Sequence, residues 1–283
     1  MVVNGRQWFR GAFAALVALA LVASVVFPAW SQSLALHGYY ADLVTTIRPL
    51  TAYRAGRPVE LEVRVRNQGP DAVGAVDLVL SPDRFAPGWS VDPCVRWAQP
   101  TCRLGALLVG QTAVSFVRAM LRPDARGVAT VGAYARSEAR DTLLGNEIAV
   151  TGGAIEVASD LGVDADPPAR LSSGEVEWTV WVTNHGPADA HAPTWRIEAS
   201  GASVRFAQCL AGGSATSCPT ASGTANLGVH GVWMLRFRAS PASGDAPLHL
   251  RFEVSSSEGA IEGTAPNAVE ASTNGTLLAD GFE

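Results

Sequence analysis

The chain contains no lysine, and its 21 basic residues are all arginine. This absence excludes every mechanism that needs a lysine amine, including Schiff-base formation, a lysine general base and a phosphate-binding loop of the usual type. Charged residues make up only 17% of the 283 residues, whereas 48% are hydrophobic. A disordered or polyelectrolyte chain has the opposite balance, so the composition predicts packed cores.

Enzymatic signatures are missing as well. The chain has no G-x-S-x-G elbow, H-E-x-x-H motif, C-x-x-C pair or G-x-G-x-x-G loop, and its five histidines show no spacing typical of a catalytic triad. The formal net charge of −5 argues against nucleic acid as a partner, because phosphate contacts need clustered cations. We therefore expect a protein without enzymatic activity and without a cofactor.

Residues 1–31 have the layout of a secretory signal peptide. Arg6 and Arg10 precede an almost unbroken apolar run, and small residues at 29 and 31 predict cleavage before Gln32. Residues 33–35 offer a second candidate site. An uncleaved anchor is the alternative, since a run of about 17 residues is at the short edge of what spans a bilayer. We expect an exported protein, extracellular or at the cell surface, with the periplasm as the alternative and membrane contact only during export.

Four cysteines, an even number, indicate disulfides in an exported chain. Three pairings are open. The spacing favours Cys94–Cys102 and Cys209–Cys218, because each pair falls at the same place in one of two repeats. Zinc is the competing interpretation, but these spacings do not match common zinc fingers and no histidine lies close beside either pair.

The repeat is visible as a self-match. Asn67-Gln-Gly-Pro-Asp-Ala72 recurs as Asn184-His-Gly-Pro-Ala-Asp-Ala190, and each copy follows a segment of alternating hydrophobicity. The pairs Gly69-Pro70 and Gly186-Pro187 predict a turn, in which glycine can take a positive φ and proline ends the strand. Further landmarks recur in the same order: Asp42-Leu43 with Asp160-Leu161, Leu104-Gly105 with Leu227-Gly228, and Asn146 with Asn267.

Period-two alternation predicts strands with one buried face. The inward positions in three such segments are Val59, Leu61, Val63 and Val65; Val176, Trp178, Val180 and Val182; and Leu248, Leu250, Phe252 and Val254. Many short strands with turns between them predict an all-β protein: two tandem immunoglobulin-like Greek-key β-sandwiches after a cleaved signal peptide. The expected boundaries are 38–157 and 158–273, with a C-terminal tail at 274–283.

Each repeat resembles a bacterial surface-protein repeat, the domain of unknown function eleven, which is related to other Ig-like adhesion modules. The resemblance is carried by Val65-Arg-Asn-Gln-Gly-Pro-Asp-Ala72, by Val182-Thr-Asn-His-Gly-Pro-Ala-Asp-Ala190, by the central cysteine pair and by the tandem spacing. It covers about residues 38–273, although residues 107–114 match only loosely. It implies an Ig-like sandwich in an exported protein, used as a spacer or adhesive module, and it brings no catalytic residues.

The last residues, Asp280-Gly281-Phe282-Glu283, resemble a short ending found on many exported bacterial proteins. A role in sorting is one hypothesis, and a disordered tail after the last strand is the other.

Two sets of residues are candidates for binding. Trp181 lies on the strand face opposite Trp178, so we expect it to point outward as an anchor for a sugar ring or a partner, and Trp97 inside the first cysteine loop is similar. Asp160, Asp164 and Asp166 lie at the expected domain junction, where three carboxylates suit Ca²⁺; a solvated linker is the alternative.

The sequence thus favours a non-enzymatic spacer or adhesin with an unknown protein or glycan partner at the cell surface. The alternatives are a secreted carbohydrate- or polymer-binding protein that uses Trp181, and a periplasmic assembly factor. An assembly factor needs basic residues between its domains to bind the carboxylate of a client protein. The aspartates expected at the junction argue against this function.

Overall fold

A computed structural model describes residues 39–212, 219, 221–242, 247–258, 266–273 and 277–279. The predicted signal peptide, both candidate cleavage sites, Cys218 and the Asp-Gly-Phe-Glu ending lie outside the described residues. Throughout the described part, regular structure consists of strands, turns and bends. No helix among these residues has the length and apolar character needed to cross a membrane.

The first half of the chain forms one β-sandwich. Its strands are β1 (Tyr40–Ala41), β2 (Leu43–Pro49), β3 (Pro58–Asn67), β4 (Val73–Pro82), β5 (Ser90–Asp92), β6 (Arg96–Ala98), β7 (Thr101–Leu107), β8 (Thr112–Met120), β9 (Val128–Ser137), β10 (Arg140–Asp141) and β11 (Ile148–Ala154). One sheet has the order β2-β3-β8-β5 and the other β11-β9-β4-β7-β6, while β1 pairs with β10 in parallel. Because the connections from β3 to β4, from β7 to β8 and from β8 to β9 cross between the two sheets, the topology is of the Greek-key type found in Ig-like sandwiches.

The second half repeats the plan. Its strands are β12 (Leu161–Ala165), β13 (Ala169–Arg170), β14 (Val176–Asn184), β15 (Thr194–Ala199), β16 (Ala202–Gly212), β17 (Val232–Pro241), β18 (His249–Ser255), β19 (Ala268–Ser272) and β20 (Leu277–Ala279). The sheet orders are β12-β14-β17-β16, with β13 beside β14, and β15-β18-β19-β20. The expected fold class, an all-β protein of two tandem sandwiches, is confirmed. Strand β20 lies within the segment that the sequence assigned to the tail.

The alternating segments bury the faces that the sequence predicts. In β3, in β14, and in β18 together with Leu248 just before it, every inward position named above is at most 2% exposed. Each half has its own hydrophobic cluster of buried side chains, the second centred on Trp178, Trp233 and Phe237. Burial of one such large apolar side chain contributes about 1.5–3 kcal/mol, so these faces supply most of the driving force for each sandwich.

Asn67 ends β3 and makes the same bonds that Asn184 makes at the end of β14. The Asn67 amide donates to the carbonyl oxygens of Asp71 (2.8 Å) and Leu107 (3.1 Å), and its own oxygen accepts from the Gly69 N–H (3.0 Å). Both asparagines have no exposed surface. A buried amide whose donors and acceptor are all satisfied fixes three separate pieces of backbone at once.

In the second repeat the Asn184 amide donates to Ala188 (2.9 Å) and Leu227 (3.0 Å), and its oxygen accepts from the Gly186 N–H (3.0 Å). The structural counterpart of Leu227 is therefore Leu107, and the predicted match of Leu104-Gly105 with Leu227-Gly228 is wrong. The sequence match misled because it relied on a shared Leu-Gly dipeptide, whereas only the carbonyl group matters to this bond.

The match of Asn146 with Asn267 is also shifted by one residue. The carbonyl of Asn146 accepts from the Thr45 N–H (2.9 Å), whereas in the second repeat the carbonyl of Pro266 accepts from the Val163 N–H (2.8 Å). The counterpart of Asn267 is Glu147, since both carbonyls accept from the neighbouring strand, from Val254 and Ala135 respectively (2.9 Å each).

Gly69 and Gly186 have a different role from the one expected. Neither has a positive φ. A Cβ on Gly69 would lie 2.2 Å from the Asp42 backbone nitrogen, and a Cβ on Gly186 would lie 2.2 Å from that of Asp160. Each glycine is needed because the backbone just before β2 or β12, at residues 41–42 or 159–160, passes directly against it.

We expect Gly69→Ala to lower the free energy of unfolding by about 2 kcal/mol, because the added methyl group overlaps backbone that has no room to move. Gly74→Ala is the matched control: a Cβ there has nothing within 4 Å, and the expected change is below about 1 kcal/mol. Urea denaturation of the oxidised protein measures both. Equal stabilities of the two variants would contradict the close-approach explanation.

Candidate functional site

The cysteine prediction is confirmed for the first pair. Cys94 and Cys102 form a disulfide with their Cα atoms 5.7 Å apart, so zinc is wrong for this pair. Cys209 in β16 is also disulfide-bonded. Its expected partner, Cys218, lies outside the described residues. On the chain-entropy model a closed loop of this length contributes about 2.5 kcal/mol.

The two tryptophan candidates have different surroundings. Trp97 is half-buried in β6 and meets Trp89 edge to face, with the ring centroids 4.9 Å apart. Its ring therefore contributes to the packing of the disulfide hairpin. Trp181 points outward as expected and is 37% exposed, with Asp164 and Met234 opposite it on the neighbouring strands. Only Trp181 is thus placed as a surface anchor, and carbohydrate binding through it stays a prediction.

The three aspartates proposed for calcium are not gathered. Asp164 lies exposed on β12 and its carboxylate accepts from the Ala165 N–H (2.8 Å), while Asp166 lies past the end of that strand. Asp160 is engaged through its backbone, since its carbonyl accepts from the His185 N–H (2.6 Å). No group of three or more metal-ligating side chains occurs in the described part of the chain.

The two sandwiches are joined by side-chain hydrogen bonds centred on Arg126, which lies in the turn between β8 and β9. Its guanidinium donates to both carboxylate oxygens of Glu258 (2.8 and 2.7 Å) and to the carbonyl of Asp189 (2.7 Å). The two side chains are only 27% and 23% exposed. A planar guanidinium that meets a carboxylate through two bonds fixes orientation as well as distance.

Backbone contacts extend this junction. The Asp189 N–H donates to the Pro123 carbonyl (3.0 Å), and Ala188 is wholly buried in the core of the first sandwich. Opposite them is a turn over residues 54–57, closed by an Arg57 N–H to Arg54 carbonyl bond (3.0 Å). A Cβ on Gly56 of that turn would lie 1.6 Å from the Pro187 carbonyl oxygen. The turn motif of the second repeat therefore packs directly on the first sandwich.

A cavity of about 610 Å³ lies beside this contact. Arg54, Arg57, Glu156, Ala158 and Pro187 are among its lining residues. Arg54 pairs with Glu156 (2.7 Å), with both side chains more than half exposed. The sequence suggested an acidic junction, and the structure shows that this expectation is wrong. Of the aspartates that prompted that expectation, Asp164 lies in β12 and Asp160 and Asp166 flank it, whereas arginines of the first sandwich face the contact.

The pKa of the Glu258 carboxyl is lowered below its ordinary value of 4.5, chiefly by the hydrogen bond from Arg126. The charge of the same guanidinium and a backbone hydrogen bond from His191 act in the same direction, and burial opposes them. Ionised Glu258 is thus the form that the junction stabilises.

The outer faces of the two sandwiches differ in polarity, and the sequence analysis did not predict this difference. On the outer face of β9 and β11, Tyr134, Ile148 and Val150 are 38%, 52% and 68% exposed. Register places Ile148 opposite Tyr134 and Val150 opposite Gly132. In β11 the smaller Ala149 and Thr151 lie on the other face. Both faces of β11 carry small or apolar side chains, so the sequence does not say which of them is buried.

The corresponding face of the second sandwich is charged. Arg251 lies between Glu198 and Glu270 in register and bonds to Glu270 (2.5 Å). Glu198, His249 and Ser272 help to line a cavity of about 270 Å³ over these strands. Equivalent backbones thus present an apolar surface in one repeat and an ion-paired surface in the other.

No protein-family model matches the chain, and no curated protein matches it. Among solved structures it is similar to a CARDB domain from Pyrococcus furiosus in complex with di-metal ions (14% identity, TM-score 0.31), covering 42% of this chain and 96% of that one. Red sea bream transglutaminase (11% identity, TM-score 0.29) covers 93% of this chain, which spans about a third of that enzyme (34%). A bacterial hydrophobin (16% identity, TM-score 0.28) covers 41% of this chain and 92% of that one. Similarities at these TM-scores carry no argument about activity or partner.

We expect the junction to weaken in acid. Because the folded-state pKa of Glu258 is lowered, the stability that it contributes is complete above its ordinary value of 4.5 and is lost as the pH falls through the folded-state pKa. Wild type should therefore melt at a higher temperature than Glu258→Gln at pH 7, and the difference should vanish in acid. Calorimetry of both proteins from pH 7 to pH 2 measures this, and a difference that persists undiminished at pH 2 would contradict it.

Proposed function

We propose that this protein is a non-enzymatic, exported module in which two Ig-like sandwiches act together as a spacer or adhesin at the cell surface. The observation that carries the proposal is the junction. A bidentate ion pair, a backbone bond and a buried alanine join two sandwiches that each have a complete core. A spacer must keep its length and direction under load, and domains joined by a bare flexible linker do not.

Export is supported by residues in two parts of the chain. The predicted leader at 1–31 directs the chain out of the cytoplasm, and the Cys94–Cys102 disulfide is stable in an oxidising compartment. The family resemblance, carried by the turn motifs, favours the outer surface over the periplasm. An assembly factor needs basic residues between its domains, and the junction supplies arginines. The periplasm therefore remains the alternative location.

The spacer proposal predicts that Arg126→Ala loosens the two sandwiches. Removal of the guanidinium leaves the Glu258 carboxylate without its partner at the contact, so the distance between the domains should become more variable. Small-angle X-ray scattering should then show a larger radius of gyration and a broader distance distribution than wild type. Arg122→Ala is the matched control, because Arg122 pairs with Asp124 within the same turn (3.1 Å). Identical scattering from all three proteins would refute a junction that is held by Arg126.

The export proposal is tested by fractionation of cells that express the native protein, with mass spectrometry of its N-terminus and cysteine pairing. We expect a mature chain that begins near Gln32, lies in the medium or on the outer surface, and contains the Cys94–Cys102 and Cys209–Cys218 bonds. Protein confined to the periplasm would favour a periplasmic assembly factor over a surface spacer or adhesin. An intact Met1 in the inner membrane would contradict cleavage of the leader.

A further inference from the structure

The cavity of about 610 Å³ at the junction has walls from three segments of the chain. The turn over residues 54–57 forms one wall, and the connection between β11 and β12 forms a second wall with Glu156 and Ala158. Pro187, from the turn motif of the second repeat, forms the third. Sites for small ligands have volumes of about 300–1,000 Å³ and often lie between domains. The size and the position of this cavity are therefore those of a ligand site.

The backbone of these walls is fixed by hydrogen bonds. The Ala55 N–H donates to the Glu156 carbonyl (3.0 Å), and the Glu156 N–H donates to the Tyr53 carbonyl (2.8 Å), so the turn is tied to the connection between the strands. At the other end of the turn, the Leu121 N–H donates to the Arg57 carbonyl (3.0 Å). A ligand would enter a preformed space, so little conformational entropy of the protein would be lost on binding.

The cavity has an excess of positive charge. Its charged lining residues are Arg54, Arg57 and Glu156, and Arg54 pairs with Glu156 (2.7 Å). Arg57 makes no ion pair and no side-chain hydrogen bond with any residue in the described part of the chain. The Thr51 hydroxyl also lines the cavity, and its oxygen accepts from the Glu60 N–H (2.9 Å), which leaves its O–H to donate to a ligand. The unpaired donors are thus a guanidinium and a hydroxyl.

The rest of the lining is apolar. It consists of Ala52, Ala55, Pro58, Ala158 and Pro187, whose side chains have no charge and no hydrogen-bonding group. Apolar atoms of a ligand gain free energy when such walls remove them from water. A single unpaired positive charge matches a carboxylate, which has one negative charge. A phosphate carries nearly two, and its second charge would lie near the Glu156 carboxylate.

We propose that the cavity at the junction binds a carboxylate that carries a compact aliphatic body. The Arg57 guanidinium and the Thr51 hydroxyl donate to the carboxylate, and the alanine and proline side chains surround the aliphatic part. Hydrogen bonds from a guanidinium to a carboxylate are assisted by charge and are about twice as strong as neutral ones. The carboxylate can belong to a free acid or to the end of a peptide, since both present the same group.

Titration of the isotope-labelled, oxidised mature chain, followed through its amide resonances at pH 7, tests the proposal. The probes are isocaproate and its uncharged amide, isocaproamide, which has nearly the same shape. Isocaproate should shift the amide resonances of Ala55, Gly56 and Arg57 in a saturable way, with a Kd of about 1 mM for so few atoms. Isocaproamide should bind at least about tenfold more weakly. N-acetylleucine represents the end of a peptide, and the acid that binds more tightly identifies the source of the carboxylate.

Three variants separate the charge from the cavity. Arg57→Gln should weaken the binding of isocaproate at least about tenfold, or about 1.4 kcal/mol, and Arg57→Lys should restore part of the loss. Arg66→Gln is the matched control and should bind as wild type. Arg66 is exposed near the far end of β3, outside the cavity, and it too makes no ion pair within the described part of the chain. Ala52→Leu changes an exposed lining residue, fills part of the cavity and should also weaken binding.

Several results would overturn the proposal. Amide resonances that do not move would show that the cavity takes none of these acids, and equal binding of isocaproate and isocaproamide would show that the carboxylate is not recognised. Binding that Arg57→Gln leaves unchanged would place the carboxylate elsewhere, and binding that Ala52→Leu leaves unchanged would indicate an exposed cation in place of a cavity. Each result is distinguishable from a failure of the spacer proposal, which scattering tests without any ligand.

Discussion

Each sandwich depends on one buried side-chain amide. Asn67 and Asn184 end equivalent strands and connect, through three hydrogen bonds each, the following turn and the segment that leads into the next central strand. The glycine two residues later lets the backbone just before β2 or β12 pass within van der Waals contact. Removal of the amide would leave buried backbone groups without partners, which costs about 1–3 kcal/mol for each group. The motif is therefore a structural requirement of the fold, and it repeats because the fold repeats.

The second copy of the motif has acquired a further role. Its proline and the alanine that follows pack on the first sandwich, and Asp189 accepts from Arg126 while its own N–H donates to Pro123. In the first repeat the residue after the proline is Asp71, the counterpart of Ala188, and both donate their N–H within their own sandwich, Asp71 to Tyr40 and Ala188 to Ala158. A rigid turn, already fixed by its asparagine, offers a preorganised surface to a neighbouring domain, so little entropy is lost when the two sandwiches dock.

The same constraint leaves the outer faces free to differ. The buried network and the inward side chains determine the backbone, whereas an outward side chain such as Val150 or Glu270 contacts only its neighbours on the sheet. The first repeat uses this freedom for an apolar surface, and the second for ion pairs around Arg251. Two copies of one fold can therefore serve different contacts without any change in their cores.

The sequence by itself determined the all-β class, the two repeats, the buried faces of the alternating strands and the pairing of Cys94 with Cys102, because each is written in a local period, a repeated motif or a short spacing. Only the tertiary structure decided that Leu107 and not Leu104 accepts from Asn67, that Gly69 is required for close approach, that arginines face the junction, and that Ile148 and Val150 point to solvent. These properties depend on which segments meet across sheets or between sandwiches, and a strand such as β11, with small or apolar residues on both faces, does not record which face is covered.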